Sequence, residues 1–82
     1  MTVTKNLSNY KQVFEKVFEL SSDFDLTELE YQGIINWDSL GHMALIAELE
    51  NTFDISLDMD DVIDFSSFAE GMKILQKYGV QF

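Results

Sequence analysis

Three side chains capable of chemistry fall within five positions, Asp38, Ser39 and His42 of Asn36-Trp37-Asp38-Ser39-Leu40-Gly41-His42-Met43. A carboxylate, a hydroxyl and an imidazole invite a nucleophile reading. Yet a serine and a histidine three residues apart, with no third group to orient the ring, form no recognisable catalytic pattern. His42 is the only histidine, and one histidine with carboxylates elsewhere is poor evidence for a metal. A partly buried packing residue is the plainer reading of His42. Ser39 is better placed as an acceptor. Asp38 is a good helix N-cap, because its carboxylate can accept from the free N–H groups of a first turn. Ser39 then takes the first helical position, where the helix dipole favours a phosphate ester on its hydroxyl. An ordinary helix-start serine has the same local sequence, so the surrounding elements must decide.

The second cluster is Asp58-Met59-Asp60-Asp61-Val62-Ile63-Asp64-Phe65. Read as a calcium loop, it puts Ser56 at the first position, Asp61 where the sharp turn needs glycine and Ser67 where a bidentate glutamate is required. Three key positions fail, so no metal site is expected beyond weak cation binding by clustered acids. The chain has no cysteine, which removes disulfides, thiolate metal sites and cysteine nucleophiles together. Fifteen acidic residues against five basic give a formal net charge of −10. Nucleic acid and anionic membranes are therefore poor partners, and proteins with basic patches are good ones. No apolar run approaches the roughly 20 residues of a membrane span, and Met1 to Leu7 has no signal-peptide core. No membrane insertion and a cytoplasmic location are the expectation.

The elements that must position these groups are helical. Eighty-two residues suit one domain with a small core. Met1 to Leu7 reads as a frayed lead-in. A first helix starting near Ser8 or Asn9 carries Tyr10, Val13, Phe14, Val17 and Phe18 on one face. The connection from Ser22 to Asp38 is long but not disordered. Phe24, Leu26, Leu29, Tyr31, Ile34, Ile35 and Trp37 should pin it across the helix ends, with a helical turn at Leu26 to Leu29. A second helix from Ser39 to about Thr52 has two apolar stripes. Leu45, Ile46, Leu49 and Phe53 form the larger, and Leu40, Met43, Ala44 and Ala47 lie nearly opposite. A surface helix needs only one such face, so the second is surplus. A short third helix spans Met59 to Asp64. Ser67-Phe68-Ala69-Glu70 matches a capping box opening a fourth, with Phe68, Met72, Leu75 and Tyr78 inward. Gly71 inside that helix costs about 1 kcal/mol against Ala and so marks a close approach. The expected fold is all-α: a small four-helix bundle with a short third helix and a long structured loop between helices one and two.

Asp38-Ser39-Leu40 in that frame, followed by Leu45, Leu49-Glu50, Phe53-Asp54, Leu57, Val62 and Phe68, resembles the acyl carrier protein family. The resemblance extends from about Tyr10 to Tyr78. It implies a carrier rather than an enzyme. In that family the serine of the motif bears 4′-phosphopantetheine, moved there from coenzyme A by a phosphopantetheinyl transferase. The thiol of the arm holds acyl groups as thioesters and presents them to acyl-loading and acyl-using enzymes of fatty acid, lipid or related biosynthesis. By resemblance Ser39 is the attachment residue, and Asp38 both caps the helix and aids recognition by the transferase. Leu40, Met43, Ala44, Ala47 and Glu50 become partner-docking candidates, and Ile46, Leu49, Val62, Phe65 and Leu75 acyl-pocket candidates. Gly41, Ala44 and Asn51 stand where many members have acids, which bears on the choice of partner enzymes. The cargo stays open, with an amino-acyl, peptidyl or D-alanyl carrier as the alternative. A monomer is expected. A reading from another class is an acidic helical adaptor or calcium-responsive module that docks through its second helix.

Overall fold

A computed structural model describes residues 2–82, with side chains from residue 5 onward. Four helices follow in order: α1 (Thr2–Phe18), α2 (Ser39–Phe53), α3 (Met59–Asp64) and α4 (Phe68–Lys77). They form a small all-α bundle, and the segment between α1 and α2 is the long structured loop that the sequence predicts. One boundary differs. Helix α1 begins at Thr2 rather than at Ser8 or Asn9, so the expected frayed stretch is helical from its second residue; Met1 lies outside the described residues. The extension is intelligible. No glycine or proline precedes Gly33, and Leu7 continues the stripe of Tyr10 and Phe14 at helical spacing. Asn6 Nδ2 also donates to the Gln81 carbonyl at 3.0 Å, tying this end of α1 to the C-terminal segment.

The core is aromatic. Tyr10, Phe14 and Phe18 of α1 meet Trp37, Phe65 and Phe68, and Leu45, Ile46, Leu49, Ile74 and Leu75 close it from α2 and α4. Edge-to-face contacts recur, with Phe14 lying 5.5 Å from Trp37 and 5.0 Å from Phe68. The buried Tyr10 hydroxyl donates to the Phe68 carbonyl at 2.7 Å, and burial pushes its pKa far up, so it remains a donor. On α4 the inward face differs from expectation. Ile74 and Gly71 are buried beside Phe68 and Leu75, whereas Met72 and Tyr78 are half-buried. Gly71 is the close approach inferred from its cost: a Cβ there would stand 2.2 Å from Phe65 Cζ and 2.3 Å from the Tyr10 hydroxyl.

The loop is held at both ends of its course. The Leu29 N–H closes a turn on the Leu26 carbonyl at 3.0 Å. The Tyr31 N–H donates to Ser66 O and the Phe68 N–H to Leu29 O, both at 2.9 Å, so the loop is stitched to the α3–α4 junction. Leu26, Leu29 and Trp37 are buried, but not every apolar loop residue pins it. Ile35 is 94% exposed, and Phe24 and Tyr31 remain partly exposed. Ile35 sits inside the turn that the Trp37 N–H closes on Ile34 O at 3.2 Å, and a residue inside such a turn projects outward.

Candidate functional site at the mouth of the second helix

Trp37 anchors the site. Its side chain is fully buried, stacked on Phe18 at 5.3 Å, and removes roughly 150–250 Å² from water, at most about 4–6 kcal/mol. Its indole N–H needs a partner and finds His42 Nδ1 at 3.0 Å. An indole only donates, so Nδ1 is the acceptor and the proton sits on Nε2, which then donates to Val62 O at 2.8 Å. Both ring nitrogens of His42 are thereby engaged, Nδ1 with Trp37 of the loop and Nε2 with Val62 of α3. The histidine is a bridge, not a base directed at Ser39.

Next to this anchor the chain turns into α2. Asp38 has extended backbone, and its Oδ1 accepts from the Gly41 N–H at 2.8 Å, the N-cap predicted from its type. Gly41 is required by contact. A Cβ there would lie 1.9 Å from the Asn36 carbonyl oxygen and 3.3 Å from Phe18 Cε1. The loop therefore rests directly on the first turn, which explains why no larger residue occupies that position. Ser39 is exposed at the helix start, and its hydroxyl lies 3.3 Å from the Tyr31 hydroxyl.

Ser39 also borders an apolar groove between α2 and α3 of about 370 Å³, shared with Tyr31, His42, Met43, Met59, Val62 and Ile63, with Phe65 and Ser66 at its floor and edge. Of the acyl-pocket candidates only Val62 and Phe65 reach it. Ile46, Leu49 and Leu75 are buried in the packed core and line no part of this groove. The reason is the aromatic filling: Phe65, Trp37 and His42 seal the space beneath. Tyr31, His42, Met43, Met59 and Ile63 were missed as lining residues. The exposed apolar pair of the short helix, Met59 and Ile63 at i and i+4, was the signal available for two of them.

The docking candidates divide. Leu40 is 82% and Met43 58% exposed, and Ala44 and Ala47 are also on the surface. Leu40 thus projects to solvent. Glu50 differs, since its Oε2 accepts from the Leu57 N–H at 2.8 Å and fastens the α2–α3 connection. In the acidic third helix, Asp61 is buried against the Lys77 ammonium at 2.6 Å and the Tyr78 hydroxyl. The lysine first and then the tyrosine hold its carboxyl below the ordinary range. Among the described residues no three metal-ligating side chains converge.

A small helical bundle that presents a capped, exposed serine beside an apolar groove has the geometry a covalent carrier module needs. Residues 37–70 match the family model of the phosphopantetheine attachment site, a stretch running from Trp37 through α2 and α3 into α4. Over that stretch the chain is similar to phosphopantetheine-binding carrier proteins, non-catalytic carriers whose cofactor is covalent 4′-phosphopantetheine. Such a carrier works with a phosphopantetheinyl transferase and with biosynthetic enzymes. No curated protein and no solved structure is similar enough to this chain to count as a match. Among the described residues no helix is long and apolar enough to cross a membrane.

Proposed function

We propose that Ser39 is the attachment residue and that the chain carries acyl groups. The observation that carries this reading is the exposed Ser39 hydroxyl at the capped start of α2, inside the matched segment and on the edge of an apolar groove. In the loading step the Ser39 oxygen forms a phosphodiester with the phosphorus of coenzyme A that bears pantetheine. The pyrophosphate P–O bond breaks, adenosine bisphosphate leaves, and the hydroxyl proton passes to a group of the transferase. Asp38 keeps the first turn formed so that the hydroxyl is presented at a fixed place, and it is our candidate for recognition by the transferase. The arm supplies a thiol that binds cargo as a thioester.

An apolar groove beside the attachment point favours acyl over charged amino-acyl cargo. Leu40, Met43, Ala44 and Ala47 form the proposed docking face, because a partner must approach there to reach Ser39. With Glu50 engaged internally, that face is mainly apolar, which suits partner sites less basic than an acidic helix would demand. The test is loading with coenzyme A and a promiscuous transferase. One addition to the wild-type chain, none to Ser39→Ala, and an unchanged helical signal in the variant are expected. Addition to Ser39→Ala would move the attachment point elsewhere. Acyl and amino-acyl thioesters offered to partner enzymes in parallel decide the cargo.

A further inference from the structure

Tyr31 belongs to no helix and has no role above beyond lining the groove, yet its hydroxyl is 3.3 Å from Ser39 Oγ. The loop does not leave it there by chance of rotamer alone. Its N–H is fixed on Ser66 O at 2.9 Å, and its ring stands edge-on to Trp37 at 6.3 Å and to His42 at 5.5 Å. Both ring neighbours are themselves tied into the indole–imidazole–carbonyl bridge. The phenol thus lines the same groove as Met59 and Ile63.

Resting on the carrier reading of Ser39, we propose that Tyr31 is a positioning residue for the phosphopantetheine arm. Its O–H donates to a phosphate oxygen of the Ser39 ester and turns the arm into the outer groove along Met43, Met59 and Ile63. Esterification removes the serine proton and puts anionic oxygens within reach of the phenol, which makes this a charge-assisted hydrogen bond. The groove's volume of about 370 Å³ equals roughly a dozen water volumes, enough for an extended chain. Because Trp37, Phe65 and His42 close the space below, the arm and the start of its cargo lie on the surface and not inside the bundle.

The experiment compares the loaded wild type, Tyr31→Phe and Ile63→Ser by phosphorus NMR and by Overhauser contacts to labelled Met and Ile methyl groups. In the wild type, contacts from the arm's paired methyl groups to Met59 and Ile63 are expected. Tyr31→Phe keeps the ring packing, so it should shift the phosphorus resonance and lower the docked population roughly tenfold or more, the factor for one hydrogen bond to a charged group. Ile63→Ser should weaken the contacts to Met59 and leave the phosphorus resonance in place. A chain loaded on Ser39 with no contacts in the wild type, or with a phosphorus resonance unmoved by Tyr31→Phe, overturns the positioning role and leaves the carrier reading intact. Failure to load Ser39 at all overturns both.

Discussion

Gly41→Ala sets two effects of opposite sign against each other. Ala is favoured over Gly in a helix by about 1 kcal/mol, so propensity alone makes the variant more stable. The structure opposes that gain, because the new Cβ would stand 1.9 Å from the Asn36 carbonyl oxygen. That oxygen would have to retreat by about 1.5 Å to reach an ordinary contact of 3.4 Å. It is not free to do so. Asn36 Nδ2 donates to Phe18 O at 2.8 Å, and the next residue, Trp37, is fully buried with its N–H on Ile34 O. Overpacking of this kind costs about 1–3 kcal/mol, and each hydrogen bond given up adds about 1 kcal/mol. After subtracting the propensity gain, a loss of about 1–3 kcal/mol remains, or roughly 10 °C in melting temperature for a domain of this size. Urea denaturation measures it, with Ala44→Gly as the control. Ala44 is exposed on the same helix, so that change should lose only propensity, about 1 kcal/mol. A Gly41→Ala chain as stable as the wild type, or more so, would refute the idea that the loop rests on the mouth of α2.

Met43→Glu should shift stability by under about 0.5 kcal/mol while slowing turnover with partner enzymes, whereas Leu49→Ala should cost roughly 2–5 kcal/mol as a truncation of a fully buried side chain; equal losses in denaturant midpoint would show the two faces of α2 assigned wrongly. Asp61, held low by Lys77 and Tyr78, contributes stability that is fully present above its unfolded pKa of about 3.9 and lost as pH falls through its lower folded value. Acid titration of the melting temperature should therefore show a falling limb below about pH 4, and Asp61→Asn should flatten that limb while lowering stability at neutral pH. Salt should raise the melting temperature by screening the net charge of −10, with Mg²⁺ and Ca²⁺ acting alike; a tight, Ca²⁺-selective response would favour the calcium-responsive module instead.

Much of the frame is legible in the residues. The two stripes of α2 separate in the structure into buried Leu45, Ile46 and Leu49 and exposed Leu40, Met43, Ala44 and Ala47. The caps Asp38 and Ser67 accept from Gly41 and Glu70, three residues on in each case. These features depend on neighbours within a turn or two, which is why periodicity and capping chemistry reach them. The groove depends on tertiary placement, and the sequence candidates Ile46, Leu49 and Leu75 lie in the packed core and not along it. Apolar character marks a residue as inward but does not say whether the space beside it is filled, and here aromatic rings fill it. Tyr31 lay eight residues from Ser39 with no local pattern to join them; the joining comes from the stitch to Ser66 and the turn at Ile34–Trp37. Trp37 and His42 were closer to legible, since an inward indole needs an acceptor and a lone histidine follows five residues later.

The attachment chemistry is tested most directly by peptide mapping of the chain after treatment with coenzyme A and a transferase. The expected result is one phosphopantetheine per chain, on the peptide containing Ser39. An unmodified chain across several transferases, or an arm mapped to any other serine, would contradict the assignment of Ser39.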